Sequence, residues 1–163
     1  MSDIWVTSDT HFGHENIIRY SQRPFHNVWE MDECMIERWN AVVKPGDKVY
    51  HLGDVWMGKG EEAYKNLRRL NGKKRLILGN HDDPRSAPLQ AFQKVMLFRS
   101  FRDFGLMLTH VPVHPTSIIR AVEGAINVHG HIHTNPSPPG PYRCVCVEQT
   151  DYFPVNIEKL RVK

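Results

Sequence analysis

The stretch "LILGNHDD" at residues 76–83 joins an apolar run to Gly79 and then to Asn80, His81, Asp82 and Asp83. A polar cluster in that position either caps a following helix or delivers functional groups from the end of a strand. Taken alone, the stretch allows both. With Arg75 in front, residues 75–79 read as a short, continuously apolar strand of the kind covered on both faces. The choice turns on whether other strands end the same way.

They do. "IWVTS" (4–8) leads into Asp9-Thr10-His11, and "KVYHL" (48–52) into Gly53-Asp54. "LMLTH" (106–110) ends on His110, and "INVHG" (126–130) runs into His131-Ile132-His133. Further strands are predicted at 94–101, 142–147 and 153–157. Val28, Met31, Met35, Trp39 and Val42 share one helical face, and Pro45-Gly46 stops that helix. Ala63, Leu67 and Leu70 mark a second helix over 61–70, ended by Asn71-Gly72. The order is strand, helix, strand, helix, strand, then mainly strands. It predicts an α/β first half and a β-rich second half within one domain, 1–163. Open α/β sheets hold ligands outside the carboxyl ends of their strands. Five polar strand ends are therefore expected to converge on one site.

Composition narrows the chemistry. With 40% hydrophobic and 24% charged residues, the chain is ordinary for a globular protein, which excludes a disordered one. A net charge of +3 is too small to argue for nucleic acid. No window reaches membrane-spanning length and "MSDIWVTSDT" does not read as a leader, so a cytoplasmic protein without a membrane partner is expected. Three cysteines without framework spacing argue against a disulfide scaffold. Cys144 and Cys146, two apart in an apolar run, read as buried small hydrophobes on one strand face. Histidine is the outlier, at ten residues, most of them in short knots with Asp, Asn or Gly.

The strand ends offer Asp9, His11, Asp54, Asn80, His81, Asp82, His110, His131 and His133. A mixed oxygen and nitrogen set without thiolate suits divalent Mn, Fe, Zn, Ni or Co. It is too rich in nitrogen for a calcium or magnesium cage, and it holds more ligands than one ion needs. In extended chain the i and i+2 residues of D-x-H and H-x-H would face one side. Gly53, Gly79 and Gly130 would let the backbone turn and keep the approach to the ions open.

Taken in order, "SDTH" (8–11), "LGD" (52–54), "LGNHD" (78–82), "THVP" (109–112) and "HGHIH" (129–133) resemble the motifs of the calcineurin-like metallophosphoesterase superfamily, in its small bacterial and phage form. The resemblance runs from residue 9 to 133, and no motif position is substituted. It implies a four-layer α/β/β/α sandwich of two mixed sheets and two bound transition-metal ions, with Mn favoured. Asp9, His11 and His133 would hold the first ion. Asn80, His110 and His131 would hold the second, and Asp54 would bridge the two. His81 would protonate the leaving oxygen, with Asp82 orienting it. The implied reaction is hydrolysis of a phosphate ester by a metal-bridged hydroxide. The expected substrate is a small phosphate ester or nucleotide, a diester before a monoester. Nucleic acid is the less favoured partner, and a metal-free binding scaffold is the remote alternative.

Other residues have competing readings. His14, three residues from His11, is a candidate at the mouth of the site. Arg19 and Arg23 either pair with substrate phosphate or make structural contacts, which is favoured. Trp5, Trp29, Trp39 and Trp56 read as core, with Trp56 also placed to line the cleft. Asn16 reads as the cap of the "IIRY" turn, and His51 as a core histidine with one partner. "RRLNGKKR" (68–75) reads as a helix end and turn before it reads as a nucleic-acid contact.

Overall fold

The computed structural model describes residues 2–58, 60–118 and 124–162. Two mixed sheets lie face to face. The first has the order β4(Lys94–Met96), β3(Lys73–Ile77), β2(Lys48–His51), β1(Ile4–Thr7), β9(Val155–Asn156). Its strands β1 to β4 are parallel and β9 runs against β1. The second has the order β5(Phe98–Phe101), β6(Leu106–Thr109), β7(Ile126–His129), β8(Tyr142–Cys144), with only β5 antiparallel to its neighbour.

Period-two alternation divides the core. Val6, Tyr50, Leu52 and Ile77 of the first sheet meet Leu106, Leu108 and Val128 of the second. Val49 and Leu76 point the other way, onto the helices α2(Val28–Val42) and α3(Gly60–Arg69). There Met31, Met35, Trp39, Ala63 and Leu67 are all buried, which is the predicted face of each helix. The Asn27 side chain caps α2 by accepting from the Glu30 N–H at 2.9 Å, and the Glu30 carboxylate accepts from His26 N–H. The α/β/β layers are thus well populated. Among the described residues the outer side of the second sheet carries a thin layer, where segment 111–117 crosses it. Val113 holds that segment down by accepting from the Tyr142 hydroxyl and donating to Asn127.

Several expectations need correction. The predicted strand at 94–101 is two strands in two sheets, because β4 pairs with β3 while β5 pairs with β6, and exposed Leu97 is the corner between them. The strand predicted at 142–147 ends at Cys144. Cys146 leaves the second sheet to bridge to Ser8 beside the first, so the two cysteines do not share a strand face. A short helix, α1(Glu15–Tyr20), contains Asn16 rather than being capped by it. Trp29 is 71% exposed, whereas Trp39 and Trp56 are core as expected. Trp56 is only 5% exposed, too enclosed to stack on a substrate.

Candidate metal centre

The carboxyl ends of β1, β2, β3, β6 and β7 meet at one end of the sandwich. Asp9 and His11 follow β1, Asp54 follows β2, and Asn80 and His81 follow β3. From the second sheet come His110 after β6 and His131 and His133 after β7.

Two triads form. In one, Asp9, His11 and His133 bring a ligand atom each within 4.8 Å of one another; in the other, Asp54, His110 and His131 do the same. His11 Nε2 and His133 Nε2 lie 3.9 and 3.8 Å from Asp9 Oδ1. Asp54 Oδ2 sits between the triads, 3.7 Å from His11 Nε2 and 3.5 Å from His110 Nε2. Two ligands bound to one ion at about 2.1 Å and a tetrahedral angle lie roughly 3.4 Å apart. These spacings are a little longer than that and too long for hydrogen bonds.

Polar satisfaction points the same way. Asp9 Oδ1 and His11 Nε2 are buried and have no hydrogen-bond partner among the described residues. Such orphans are rare unless an ion or water completes them. His110 Nδ1 lies 2.7 Å from the Leu52 carbonyl, which can only accept, so Nδ1 carries the proton. In the neutral ring His110 Nε2 then presents a lone pair, 2.9 Å from Asn80 Oδ1. Two acceptors facing each other are relieved by a cation. His133 repeats the pattern: Nδ1–H donates to Glu148 Oε1 at 2.9 Å, which turns Nε2 toward Asp9. Burial raises the Asp9 pKa and lowers that of His11 far below the imidazole range, so both resist carrying charge. A bound cation reverses that preference for the carboxylate.

The calcineurin-like phosphoesterase family profile matches residues 2–160. The chain belongs to the calcineurin-like phosphoesterase family. It is 36% identical over 167 residues to an uncharacterized protein of Methanocaldococcus jannaschii, covering 97% of this chain and 89% of that one. The gene 66 protein of Mycobacterium phage L5 is 31% identical, covering 82% of this chain and 79% of its own. The crystal structure of a protein of unknown function from Aquifex aeolicus superposes with a TM-score of 0.76 at 24% identity, covering 98% of both chains; it shares the fold.

In this family member the backbone of the candidate ligands is not extended. Asp9, His11, Asp54, His131 and His133 all have positive φ, between 51° and 73°. The reasoning that i and i+2 residues face one side in extended chain therefore does not apply. Each pair instead reaches the site from a left-handed turn, a conformation that costs non-glycine residues energy and clusters at functional sites. His131 and His133 accordingly serve different triads. Of the three glycines, only Gly53 has a positive φ, +98°. Gly130 is needed for close approach, since a Cβ there would collide with Ser8 and Asp9.

His81 donates its backbone N–H to Asp54 Oδ1 at 2.9 Å. Its exposed ring lies edge-on to His11 with centroids 5.7 Å apart, in a hollow shared with His14, Tyr20, Met57 and His133. His14 Nδ1 lies 3.3 Å from His11 Nδ1, and burial lowers its pKa. Asp82 does something other than orient His81. Its Oδ2 accepts from Asp54 N–H (2.8 Å) and Gly79 N–H (2.9 Å), and its Oδ1 from Val55 N–H (2.9 Å). It locks the β2 and β3 loops together. Asp83 turns the chain, accepting from Arg85 N–H at 2.9 Å.

Arg23 is a structural arginine, 4% exposed. It donates to Glu148 Oε1 from both Nε and Nη2, and to the carbonyls of Thr10 and Asp9 at 2.8 and 2.7 Å. Arg19 is exposed and lies over Tyr20. His51 has two partners rather than one: Nδ1 accepts from Gly53 N–H, and Nε2 donates to Thr10 Oγ1. Burial lowers its pKa to about 3. Sequence reasoning missed Glu148 and Cys146, whose thiol donates to Asp9 Oδ2 at 3.3 Å. Both lie beyond the last motif, and only their membership of an apolar closing run hinted at burial.

Proposed function

We propose that the chain is a dinuclear, metal-dependent phosphoesterase that prefers phosphodiesters. The observation that carries this is Asp54 Oδ2, placed between His11 Nε2 and His110 Nε2 so that one carboxylate serves both triads. Asp9, His11 and His133 would hold one ion, and Asn80, His110 and His131 the other. Bound divalent ions supply the positive charge that neutralises a phosphoryl group and acidifies water.

The chain's own groups supply the rest. Glu148 and the Leu52 carbonyl hold the Nδ1 protons of His133 and His110, which keeps both Nε2 lone pairs free for ligation. His81 is anchored through its main chain, so its ring can swing in the hollow and pass a proton to a leaving oxygen. His14 stands beside it and contacts the ester group or shares its proton.

Preference for a diester rests on two hollows that flank the triads. One, of about 510 Å³, is lined by His11, His14, Tyr20 and His81. The other, of about 520 Å³, begins at Asn80 and His110 and runs past Leu97, Phe98 and Val111. A phosphorus carrying an organic group on each side suits that arrangement; a monoester leaves one hollow unused. A cytoplasmic setting accords with three unpaired cysteines. The test is metal analysis plus a panel of bis-phosphodiesters, cyclic nucleotides, monoesters and oligonucleotides, assayed with Mn, Ni, Zn and Fe. Metal-dependent diester hydrolysis is expected. A chain that stays metal-free and inert with every ion sinks the proposal, and faster monoester turnover sinks the diester preference.

A further inference from the structure

At the other end of the sandwich, a polar cleft of about 250 Å³ opens between the sheets at their β4 and β5 edges. Lys48, Arg75, Lys94 and Arg99 line it, with Tyr50 and Phe101, and no carboxylate does. Arg75 and Lys94 are direct cross-strand partners, and Tyr50 flanks Arg75 on the other side. Arg99 comes from the second sheet. Like charges directly opposed across strands destabilise a sheet.

Arg23, Arg38, Arg69, Arg85 and Arg161 each pair with a carboxylate. Among the described residues, none of the four side chains in the cleft makes an ion pair or a hydrogen bond. Arg19, Arg68, Arg102 and Arg143, which also lack a carboxylate partner among the described residues, are exposed to water, whereas Arg75 is half-buried. Arg75 lies over the Tyr50 ring at 5.5 Å and Arg99 over Phe101 at 5.1 Å, which offsets only part of the charge. Among the described residues Arg75 Nη1 is buried with no hydrogen-bond partner. A buried guanidinium donor left unmatched is expensive.

We propose that this cleft binds a small oligophosphate, with inorganic pyrophosphate its simplest form. Four cations from two sheets match an anion carrying several negative charges on two adjacent phosphoryl groups. Arg75 supplies the planar, forked donor that suits phosphate oxygens. At about 30 Å³ per water, the cleft has room for roughly eight waters, a volume that a diphosphate would fill. The half-buried position of Arg75 in a cleft of about 250 Å³ favours a small free anion over a nucleic-acid backbone. The site is separate from the metal centre: Ile4, Lys48 and Lys94 begin β1, β2 and β4, whereas the candidate ligands follow the carboxyl ends of their strands, and the cleft shares no lining residue with the two hollows beside the triads.

Isothermal titration calorimetry of the whole chain with inorganic pyrophosphate, in EDTA and low salt, tests this. EDTA removes metal-mediated binding and any hydrolysis. We expect one pyrophosphate per chain, weakening as salt rises. Arg75→Gln with Arg99→Gln should weaken it at least tenfold, while Asp54→Asn leaves it unchanged. Arg75→Gln should also raise the melting temperature without anion and lose the rise that pyrophosphate gives the wild type. Those opposed shifts separate an anion site from a structural arginine. Three outcomes overturn the proposal: no binding at millimolar pyrophosphate, equal binding by the double variant, or tighter Arg75-dependent binding of a short oligonucleotide. Increased aggregation of Arg75→Gln with no anion binding would assign the charges to protecting the sheet edge instead.

Discussion

Replacing Arg23 by Met should cost this protein more than removing any proposed metal ligand. The side chains of Arg23 and Glu148 are 0% and 3% exposed. Breaking such a pair from one side leaves the buried carboxylate without its cation and with only the His133 N–H as a partner, at about 3–5 kcal/mol. The carbonyls of Asp9 and Thr10 lose their donors as well, at roughly 1 kcal/mol each. Allowing for overlap, the expected loss is about 4–6 kcal/mol. For a chain of this length that is a fall of roughly 8–24 °C in melting temperature. Urea unfolding of EDTA-treated protein measures it free of any contribution from bound ions. Adding Glu148→Leu to Arg23→Met should recover part of the loss, because the stranded charge goes with it. A single variant that costs under about 1.5 kcal/mol, or a double variant no more stable than the single, would refute the reasoning.

Three further outcomes follow from the geometry. His81→Ala should retain its ions yet slow hydrolysis of esters with poor leaving groups by about 10²–10⁴-fold, and wild-type rates on such esters would remove His81 as the acid. Gly130→Ala should push a Cβ into Ser8 and Asp9, so metal analysis should find the Asp9–His11–His133 position emptied while Asp54–His110–His131 still fills. Asp47 takes N–H donors from Lys44, Trp5 and Asp3. Burial opposes its ionisation, but those bonds hold its pKa below the usual 3.8. A depressed carboxylate stabilises the fold above its unfolded pKa and loses that effect as pH falls through the folded value. The stability gap between wild type and Asp47→Asn should therefore be full above pH 3.8 and close below it, and a gap that widens in acid would contradict the assignment.

The parts of the fold set by local pattern were legible. Apolar periodicity located α2 and α3, and strand ends rich in Asp, Asn and His located the site, because both signals lie within a few residues of one another. What needed the structure depended on partners distant in sequence. "KVMLFRSF" contains no Gly or Pro to mark its corner at Leu97; the break exists because β3 and β6 claim its two halves. Asp82 looked like an orienter for its neighbour His81, but its oxygens are taken by N–H groups 27 and 28 residues earlier. Glu148 lies 125 residues from Arg23, and neither residue signals the other in the sequence.

Those distant contacts share one physical task. Five candidate ligands sit in left-handed backbone, and each such residue costs of order 1–3 kcal/mol unless its surroundings hold it there. The buttresses fall on these turns. Arg23 holds the Asp9 and Thr10 carbonyls, and Asp82 holds the N–H groups of Asp54 and Val55. Asp9 Oδ2 in turn accepts from His131 N–H at 2.8 Å and so ties the second sheet's turn to the first. The turns let side chains from adjacent strands converge, and the buried polar contacts fix them before any ion arrives. The strain and the conspicuous burial of Arg23, Glu148 and Asp82 are thus two sides of one arrangement. Loosening a buttress should lower metal affinity without touching a ligand, typically by 10–100-fold.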